Sequence, residues 1–328
     1  MKAILFDAPG DASVLHIGDA DRPDLRAGEV RIRVAAAGVN RADILQRRGA
    51  YPPPPGATDI LGLECSGTII EIADDVLHWN NGDMVMALLP GGGYAEEVVV
   101  HHGSVMRVPG SLSLFEAAAF PETFLTAFLN VFQLGGLPDG GALLVHGGGS
   151  GIGTAATKLA KAVGATVIVT AGSDWKCQRC MDLGADSAVN YRRDDFLTQV
   201  KRVTDNRGVD VVLDHIGGTY FEKNLESLAA NGRMVVIGLM GGTSATIDLK
   251  RLLARGLSVT GSTLRRKSAS AKQSIVSEFI NRFGVPLAGG RLRPVVDQVF
   301  PMERAAEAHR RMEASDHFGK IVLEIAPS

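Results

Sequence analysis

A run of glycines between residues 147 and 153 is the part of this sequence whose residue types point most directly to chemistry. It reads HGGGSGIGT from His146 to Thr154, between a short apolar segment and a helical pattern. Residues without side chains let a backbone approach phosphate groups, and the following helix offers free N–H groups at its amino terminus. We predict that the pyrophosphate of a dinucleotide binds here, on Gly149, Ser150, Gly151, Ile152 and Gly153. The alternative interpretation is a tight turn with close helix–strand packing.

The end of the next predicted strand, 166–170, indicates which dinucleotide binds. Sites selective for NAD usually carry Asp or Glu at this tip, where it accepts a hydrogen bond from the ribose 2′-hydroxyl. Here the tip carries Gly172 and Ser173, and Lys176 follows one turn into a helix. A small hydroxyl and a cation suit a 2′-phosphate, so we predict NADPH as the cofactor. Asp174, one residue past the tip, is the feature that argues against this choice.

A second group of cofactor candidates follows the third predicted strand of this region. Tyr191, Arg192 and Arg193 add an aromatic ring and two cations on the adenine side. For the two arginines, a solvated charged face is an equally good interpretation.

The elements that position these residues alternate in two different ways along the chain. Up to about residue 120, segments such as 29–36 alternate polar and apolar residues, which predicts short strands separated by turns. From Pro121 onward, apolar strands alternate with helical segments, which is typical of a parallel, doubly wound sheet. Two amphipathic helices and a strand at 320–325 follow, and that strand matches the pattern of the first region. We therefore predict an α/β fold with a β-rich domain (1–121 and 266–328) around a Rossmann domain (122–265).

Composition excludes several classes of protein. The 34 basic and 36 acidic residues give a net charge of −2, which argues against a dedicated nucleic-acid or anionic-membrane binder. No apolar stretch of 18 residues occurs and no signal-peptide pattern opens the sequence, so we expect no membrane span and a cytoplasmic protein. Three cysteines are too few for a disulfide framework or a four-thiolate zinc site. We interpret the C-x-x-C pair Cys177 and Cys180 as ordinary helix cysteines rather than a redox pair.

Eight segments, in order along nearly the whole chain, carry a family resemblance. They are NRADILQRRGAYPPPPGA (40–57), ILGLECSG (60–67), MALLPGGG (86–93), LTAF (125–128), GSGIGTAA (149–156), LDHIGG (213–218), GLMGG (238–242) and GKIVLE (319–324). On these segments the chain resembles the zinc-independent quinone oxidoreductases of the medium-chain dehydrogenase/reductase superfamily, most closely the p53-inducible quinone oxidoreductase subgroup. The resemblance implies a GroES-like catalytic domain, a Rossmann domain and an active site in the cleft between them.

The resemblance also implies roles for individual residues. Ser173, Lys176 and Tyr191 would bind the 2′-phosphate end of the cofactor, and Thr126 and Asn40 would approach the nicotinamide. The remaining cofactor contacts that it implies are Gly238, Leu239, Met240 and Lys320.

The same resemblance bears on metal content. The first two ligand positions of the zinc-containing relatives align with Asn40 and Leu63, and no cysteine occurs near residues 120–124, where the third would fall. Because zinc requires converging N, S or O ligands, we expect a metal-free enzyme.

Without a metal, the simplest chemistry is hydride transfer from NADPH to an electrophilic acceptor such as a quinone. Tyr51 is the first catalytic candidate, because a phenol can donate to a quinone oxygen and its ring can stack on the substrate. Its alternative role is packing of the loop that continues into Pro52–Pro55. Asn40 and Asp43 are further candidates, and the alternative for Asp43 is capping of the helix that runs to Arg48.

We therefore expect an NADPH-dependent quinone reductase. One alternative is an NADPH-dependent reductase of enone or alkenal double bonds. The other is a non-catalytic, crystallin-like protein that binds NADPH and RNA, for which residues 265–267 (RRK) are the only basic run. The resemblance also suggests a homodimer that pairs through the edge strand Leu257–Leu264.

Overall fold

The computed structural model describes residues 1–325 and divides the chain into two compact units. Unit 1 consists of Met1–Leu125 and the chain from Arg265 onward, and unit 2 is Thr126–Leu264. The first boundary lies inside a helix that begins at Pro121, and the second falls between Leu264 and Arg265. Unit 1 is therefore built from two separate stretches of sequence, whereas unit 2 is continuous.

In the described residues the strands are, in chain order, β1 (Lys2–Leu5), β2 (His16–Asp19), β3 (Glu29–Val39), β4 (Glu64–Ile72), β5 (Met84–Leu88), β6 (Glu97–His101), β7 (Val105–Arg107), β8 (Ala142–Val145), β9 (Thr166–Ala171), β10 (Ser187–Asn190), β11 (Val209–Asp214), β12 (Leu228–Val236), β13 (Ser258–Gly261), β14 (Val296–Pro301) and β15 (Lys320–Glu324). The α-helices are α1 (Arg41–Arg47), α2 (Leu114–Ala118), α3 (Pro121–Ala127), α4 (Gly151–Ala162), α5 (Asp174–Asp182), α6 (Phe196–Val203), α7 (Phe221–Ser227), α8 (Leu249–Arg255), α9 (Ala269–Ala288) and α10 (Ala305–Ala314). None of these helices combines the length and the apolar character needed to cross a membrane.

Unit 1 is built on a seven-stranded sheet. Its strand order is β14-β15-β3-β4-β5-β7, with β6 also paired to β3, and only the β14–β15 pair is parallel. The alternation in β3 buries one face against a core that includes Val30, Ile32 and Val34. As predicted, the C-terminal strand belongs to the same unit as the first region of the chain. β15 pairs with β3, and Ile321 faces Val39.

That register positions three polar residues. Since β15 and β3 are antiparallel and Ile321 faces Val39, the preceding residue of β15, Lys320, comes beside Asn40. Since Cys65 of β4 faces Ala37, Glu64 comes beside Gly38. Residues distant in sequence therefore meet where β3 ends and where β4 and β15 begin.

Unit 2 is a six-stranded parallel sheet in the order β10-β9-β8-β11-β12-β13. The crossover between neighbouring parallel strands is supplied by helices, as in a doubly wound fold. The predicted α/β class, with a β-rich part and a Rossmann-type parallel sheet, is confirmed. The carboxyl ends of β8, β9, β11 and β12 lie at one edge of the sheet, where such folds bind ligands.

The spacing of apolar residues predicts one helix over 122–134, but in the structure this helix is interrupted. α3 ends at Ala127, and a π-helix covers Phe128–Leu134. The side-chain amide of Asn130 donates to the Thr126 carbonyl (2.7 Å), which a regular α-helix reserves for the backbone N–H four residues on. The Gly135 N–H then donates to the Asn130 carbonyl (3.0 Å), a five-residue spacing.

Candidate functional site

The glycine run of unit 2 forms a tight turn from β8 into α4. Gly147 has φ +66°, and a Cβ on Gly153 would overlap the Gly147 carbonyl oxygen. Ser150 is the N-cap of α4, and its Oγ accepts from the Gly153 N–H (2.9 Å). Gly149 lies in the turn, while Gly151 and Ile152 form the first turn of α4, where backbone N–H groups lack helical partners. The backbone N–H groups at the start of α4 make this cradle suited to a pyrophosphate.

The residues predicted to bind the 2′-phosphate end gather at the carboxyl ends of β9 and β10. Ser173 is the N-cap of α5, and its Oγ accepts from the Lys176 N–H (3.3 Å). A Cβ on Gly172 would lie 2.6 Å from the Tyr191 hydroxyl, so the missing side chain leaves room for that phenol. Gly172, Ser173 and Tyr191 therefore adjoin, with Lys176 in the first turn of the capped helix.

Asp174, the residue that argued against NADPH, is held by two neighbours. Its carboxylate accepts from the Asn190 side-chain amide (2.8 Å) and pairs with Arg193 (3.0 Å). The hydrogen bond from Asn190 and the charge of Arg193 lower the pKa of Asp174. Arg193 also pairs with Asp194 (3.1 Å), which agrees with its interpretation as part of a charged surface. Arg192 is exposed.

A pocket of about 300 Å³ lies beside this group in unit 2. Its wall combines aromatic rings with charged groups: Tyr191, Arg192, Arg193, Asp194, Asp195, Phe196, Tyr220 and Lys223. Aromatic and cationic walls suit an adenosine phosphate.

The remaining predicted residues of unit 2 lie on two segments. Thr126 Oγ1 and Asn130 Oδ1 are buried and have no hydrogen-bond partner among the described residues. Such orphaned oxygens are costly unless a ligand satisfies them. The loop after β12 carries Gly238, Leu239 and Met240, and the Met240 N–H donates to the His215 carbonyl (3.1 Å). The side chains of Leu239 and Met240 are 52% and 61% exposed.

A buried charge network occupies the meeting point of β3, β4 and β15 in unit 1. Lys320 Nζ lies 2.6 Å from Glu64 Oε1 and donates to Asn40 Oδ1 (2.7 Å) and to the Val39 carbonyl (2.7 Å). The Asn40 amide in turn donates to Glu64 Oε1 (2.9 Å). Lys320 is 3% exposed and Glu64 is 0% exposed.

This network corrects two expectations. An ammonium group has three donors, and all three of Lys320 are used inside unit 1, so it has none left for a cofactor. The Asn40 side chain is bonded through both its oxygen and its nitrogen, and the residue is 9% exposed. We therefore assign Lys320 and Asn40 to the framework of the site rather than to direct contact with the cofactor.

Asp43 also belongs to the framework. Its Oδ2 accepts from the Asn40 backbone N–H (2.8 Å), which closes the start of α1, and its Oδ1 accepts from the Gly62 N–H (3.1 Å). The residue is completely buried, and burial raises its pKa to about 6. The capping role that the sequence left open is the one that the structure supports, because the Asp43 carboxyl closes the capping box of α1.

Tyr51 lies on the proline-rich loop and is partly exposed. The Arg265 guanidinium carbon lies 5.4 Å from the centre of its ring, within cation–π range. Arg265 also donates to the Pro90 carbonyl (2.8 Å) and to Gln46 Oε1 (2.7 Å). One buried arginine thus fixes the Tyr51 loop and the loop at Pro90. It also leaves the basic run 265–267 without one of its surface charges, because Arg265 is 3% exposed.

Glu122, at the start of α3, was not among the predicted site residues. Its backbone N–H donates to Glu64 Oε2 (2.9 Å), so the second oxygen of Glu64 joins α3 to the buried network. Burial, and next the charge of Glu64, raise the pKa of Glu122 to about 8. A sequence signal for Glu64 existed, since it is the single charged residue within the apolar stretch 60–70. Glu122 had none, because acidic residues are common in first helical turns.

The cysteines show no sign of reactivity. All three are unpaired thiols, and burial raises the pKa of Cys180 to about 12 and also raises that of Cys177. No three His, Cys, Asp or Glu side chains within residues 1–325 converge in a way that could hold a metal ion.

Comparison with known proteins identifies the family. Residues 26–110 match the alcohol dehydrogenase GroES-like domain, and residues 151–281 match the zinc-binding dehydrogenase family. Quinone oxidoreductase-like protein 2 of Bos taurus is 34% identical over 298 residues, covering 90% of this chain and 85% of that protein. This chain belongs to the medium-chain dehydrogenase/reductase superfamily. A second relative, a phenolphthiocerol/phthiocerol polyketide synthase of Mycobacterium tuberculosis, is 32% identical over 98% of this chain, which spans only 14% of that much longer protein.

Solved structures of this superfamily share the fold. A structure described as an NAD-dependent alcohol dehydrogenase is 36% identical, with a TM-score of 0.85, and covers 99% of this chain and 100% of its own. The Escherichia coli quinone oxidoreductase complexed with NADPH is 27% identical, with a TM-score of 0.86, over 99% of this chain and 100% of its own. The CurK enoyl reductase is 28% identical, with a TM-score of 0.86, over 98% of each chain. The family and the glycine cradle together support an oxidoreductase with a nicotinamide cofactor.

Proposed function

We propose that this protein is an NADPH-dependent, metal-free reductase that transfers reducing equivalents to a quinone. The choice of acceptor rests on one observation, the Tyr51 ring held under the Arg265 guanidinium. A phenol hydroxyl on a ring that is held by a neighbouring cation suits an electron-poor acceptor with two carbonyl oxygens.

The preference for NADPH is supported by the tip of β9. Asp174, the acidic group nearest to that tip, is already engaged by Asn190 and Arg193. Ser173, Lys176 and Tyr191 are then the groups offered to a 2′-phosphate. The relatives include an enzyme with NADPH bound and one described as NAD-dependent, so the two cofactors must be compared directly.

Metal independence is supported by the donor set at Asn40. The Lys320 ammonium group is bonded to Asn40 Oδ1 and to Glu64, so it occupies the space beside Asn40 that further metal ligands would need. Its positive charge would also repel a divalent cation. We expect less than about one tenth of a zinc ion per chain by elemental analysis, and unchanged activity after chelation. A stoichiometric zinc ion that is lost together with activity would contradict this part of the proposal.

In the proposed mechanism the bound cofactor supplies the electron pair and one hydrogen as hydride. The chain binds the cofactor phosphates at the cradle 147–153 and orients the acceptor. Tyr51 donates a hydrogen bond to an acceptor oxygen, where negative charge develops as the electrons arrive. Arg265 holds the Tyr51 loop and adds positive charge near that oxygen. Asn40, Glu64 and Lys320 keep the surrounding backbone in place.

The test is a matrix of two cofactors and four acceptors. Oxidation of NADPH and of NADH is followed by the absorbance of the reduced nicotinamide with a para-quinone, an ortho-quinone, a cyclic enone and an alkenal. We expect the highest kcat/KM for NADPH with a quinone. A Tyr51→Phe variant should lose about tenfold in kcat/KM for that quinone, the cost of roughly one hydrogen bond. Turnover of the enone and the alkenal without either quinone would contradict the proposed acceptor.

The second candidate function is reduction of an activated carbon–carbon double bond. The similarity to the CurK enoyl reductase favours it, because the fold and the cofactor cradle serve both reactions. The same matrix decides between the two. RNA binding is disfavoured, because the burial of Arg265 shortens to two residues the basic run that suggested it.

A homodimer through β13 is the proposed assembly. β13 covers Ser258–Gly261, shorter than the predicted Leu257–Leu264, and all four of its residues are exposed. It pairs with β12 on one side only, which leaves an edge that can pair with a second copy. Light scattering should give the mass of two chains. Val259→Lys should give the mass of one, while Leu253→Lys on α8 should leave the dimer intact.

A further inference from the structure

The Glu122 carboxyl has an oxygen for which unit 1 provides no partner. Glu122 Oε2 is out of contact with solvent and accepts or donates no hydrogen bond among the described residues. Leaving such a group unpaired is costly, and native structures rarely do so except where a ligand, water or function accounts for it. Glu122 is not completely enclosed, since part of its surface remains accessible. The unsatisfied oxygen is therefore buried, although the residue that carries it is partly exposed.

Charged groups from β4, β15, α1 and α9 lie within electrostatic range of this carboxyl. Glu64 of β4 binds the Glu122 backbone N–H, and Lys320 of β15 neutralises Glu64. Asp43 of α1 adds a second acidic group, and Lys272 of α9, 6% exposed, adds a cation. On the side of the proline-rich loop, Tyr51 and Arg265 are within electrostatic range of Glu122.

This arrangement favours a proton on Glu122. Lys320 is committed to Glu64, so two neighbouring carboxyls share one closely bound cation. The second carboxyl is then most stable in its neutral form. A neutral carboxyl whose oxygen has no partner is a proton donor that lacks an acceptor.

We propose that Glu122 is the acid that protonates the reduced acceptor. The proposal rests on the reductase function given above. The acceptor carbonyl gains an electron pair with the hydride supplied by the reduced nicotinamide. One oxygen takes the proton from Glu122, so the O–H bond of the carboxyl breaks and an O–H bond forms on the product. Glu122 is left as a carboxylate and regains its proton from water. For a quinone, the hydride and the single proton from Glu122 together account for the hydroquinone and the oxidised cofactor.

Tyr51 alone is a poorer source of this proton. Burial raises the pKa of Tyr51 above its ordinary value of 10, so its phenol gives up a proton reluctantly near neutral pH. The pKa of Glu122, about 8, lies close to the operating range in which general acids are most effective. In this division of roles Tyr51 orients the acceptor and Glu122 supplies the proton.

The experiment compares Glu122→Gln with Glu122→Asp, and uses Glu303→Gln as the control. Glutamine keeps the shape and the neutral charge but transfers no proton, aspartate keeps the acid, and Glu303 is an exposed residue just before α10. The assay is steady-state reduction of the best acceptor by NADPH across neutral and alkaline pH. Binding of NADPH to each variant is measured by fluorescence, and the melting temperature checks folding.

We expect kcat for Glu122→Gln to fall by about 10²- to 10⁴-fold, the usual contribution of a general acid. In the wild-type enzyme we expect the rate to decline at alkaline pH, with a midpoint near the pKa of about 8. In Glu122→Gln this alkaline decline should be absent. NADPH affinity should remain close to wild type, and so should the melting temperature when it is measured near pH 4.5, below the window in which the two proteins differ in stability. Glu122→Asp should recover part of the rate and restore an alkaline decline, and Glu303→Gln should behave as wild type.

Two results separate failure of this inference from failure of the proposed function. A wild-type enzyme that turns over, together with a Glu122→Gln variant of equal rate and the same alkaline decline, would overturn the role of Glu122 alone. A reduced rate in Glu122→Gln with the alkaline decline retained would also overturn it, because the residue would then act only in positioning. A wild-type protein that binds NADPH but reduces no acceptor would refute the proposed function first.

Discussion

Lys320 Nζ and Glu64 Oε1 lie 2.6 Å apart inside unit 1, and each of these charged groups is also hydrogen-bonded to Asn40. A buried ion pair of this kind contributes little relative to an apolar pair of equal volume, but removal of one member leaves the other charge unpaired. The ion pair therefore fixes the ends of β3, β4 and β15 relative to one another but contributes little net stability. The charges of the pair also act on the pKa of Glu122, which Glu64 raises and Lys320 lowers.

The first prediction concerns that pair. Lys320→Met should lower the free energy of unfolding by about 3–5 kcal/mol, because it leaves the Glu64 carboxylate buried without its cation. The measurement is urea unfolding followed by circular dichroism. Adding Glu64→Gln to Lys320→Met should recover part of this loss, since the remaining side chain is then neutral. Additive losses in the double variant would contradict the predicted coupling.

The second prediction concerns Gly38, which faces Glu64 across the β3–β4 pair. A Cβ at this position would overlap Glu64 Oε1 and lie 2.7 Å from the Ala118 carbonyl oxygen. Gly38→Ala should therefore destabilise the protein by about 1–3 kcal/mol, the usual cost of overpacking. Gly110→Ala is the matched control, because a Cβ there meets nothing within 4 Å. Equal stability of the two variants would show that the β3–β4 contact can relax.

The third prediction follows from the raised pKa of Glu122, about 8 in the folded state against an ordinary 4.5. Between these values the folded state holds a proton that the unfolded state has released. The free energy of unfolding therefore falls as the pH rises through this window, by up to about 1.4 kcal/mol per pH unit. Glu122→Gln does not titrate, so its stability relative to wild type should rise across this window and level off above it.

Thermal or urea unfolding at several pH values measures this difference. The comparison with Glu122→Gln removes the contributions of the other titrating groups, since both proteins contain them. A stability difference that does not change across the window would mean that Glu122 is ionised in the folded state throughout this range.

The fourth prediction concerns cofactor choice. Lys176→Ala should weaken NADPH binding by roughly tenfold or more, the value of one hydrogen bond to a charged group, and should leave NADH binding unchanged. Lys250→Ala on α8, an exposed lysine in the same unit, is the control for general charge effects. Isothermal titration of both variants with both cofactors at fixed salt gives the dissociation constants. An equal loss for NADPH and NADH would assign Lys176 to a part of the cofactor that both share.

The cradle could be predicted from the sequence because its determinants are local. Gly147, Ser150 and Gly153 form one turn and one helix start, and their residue types specify that geometry without help from distant segments. The parallel sheet was predictable for a similar reason, since alternating strands and helices leave few topologies.

The framework of unit 1 could not be predicted in the same way. Lys320 and Asn40 are 280 positions apart, and only the register of β15 on β3 brings them together. A shift of one residue in the register would turn every side chain of the strand to the opposite face. A local sequence pattern does not specify the register, so it cannot predict such a contact. For this reason the sequence pattern predicts a cofactor contact for Lys320, leaves two roles open for Asp43 and gives no signal for Glu122.

The two-part construction of unit 1 has a consequence for the order in which the chain can fold during synthesis. Unit 2 is complete once Leu264 has left the ribosome, because all six strands of its sheet precede that residue. The central strands of unit 1 are made first, yet Glu64 and Asn40 must wait for Lys320 of β15 before their charge and hydrogen bonds are satisfied. Until β15 has been synthesised, the Glu64 carboxylate of the nascent chain therefore lacks its cation, although the central strands of its sheet have already been made.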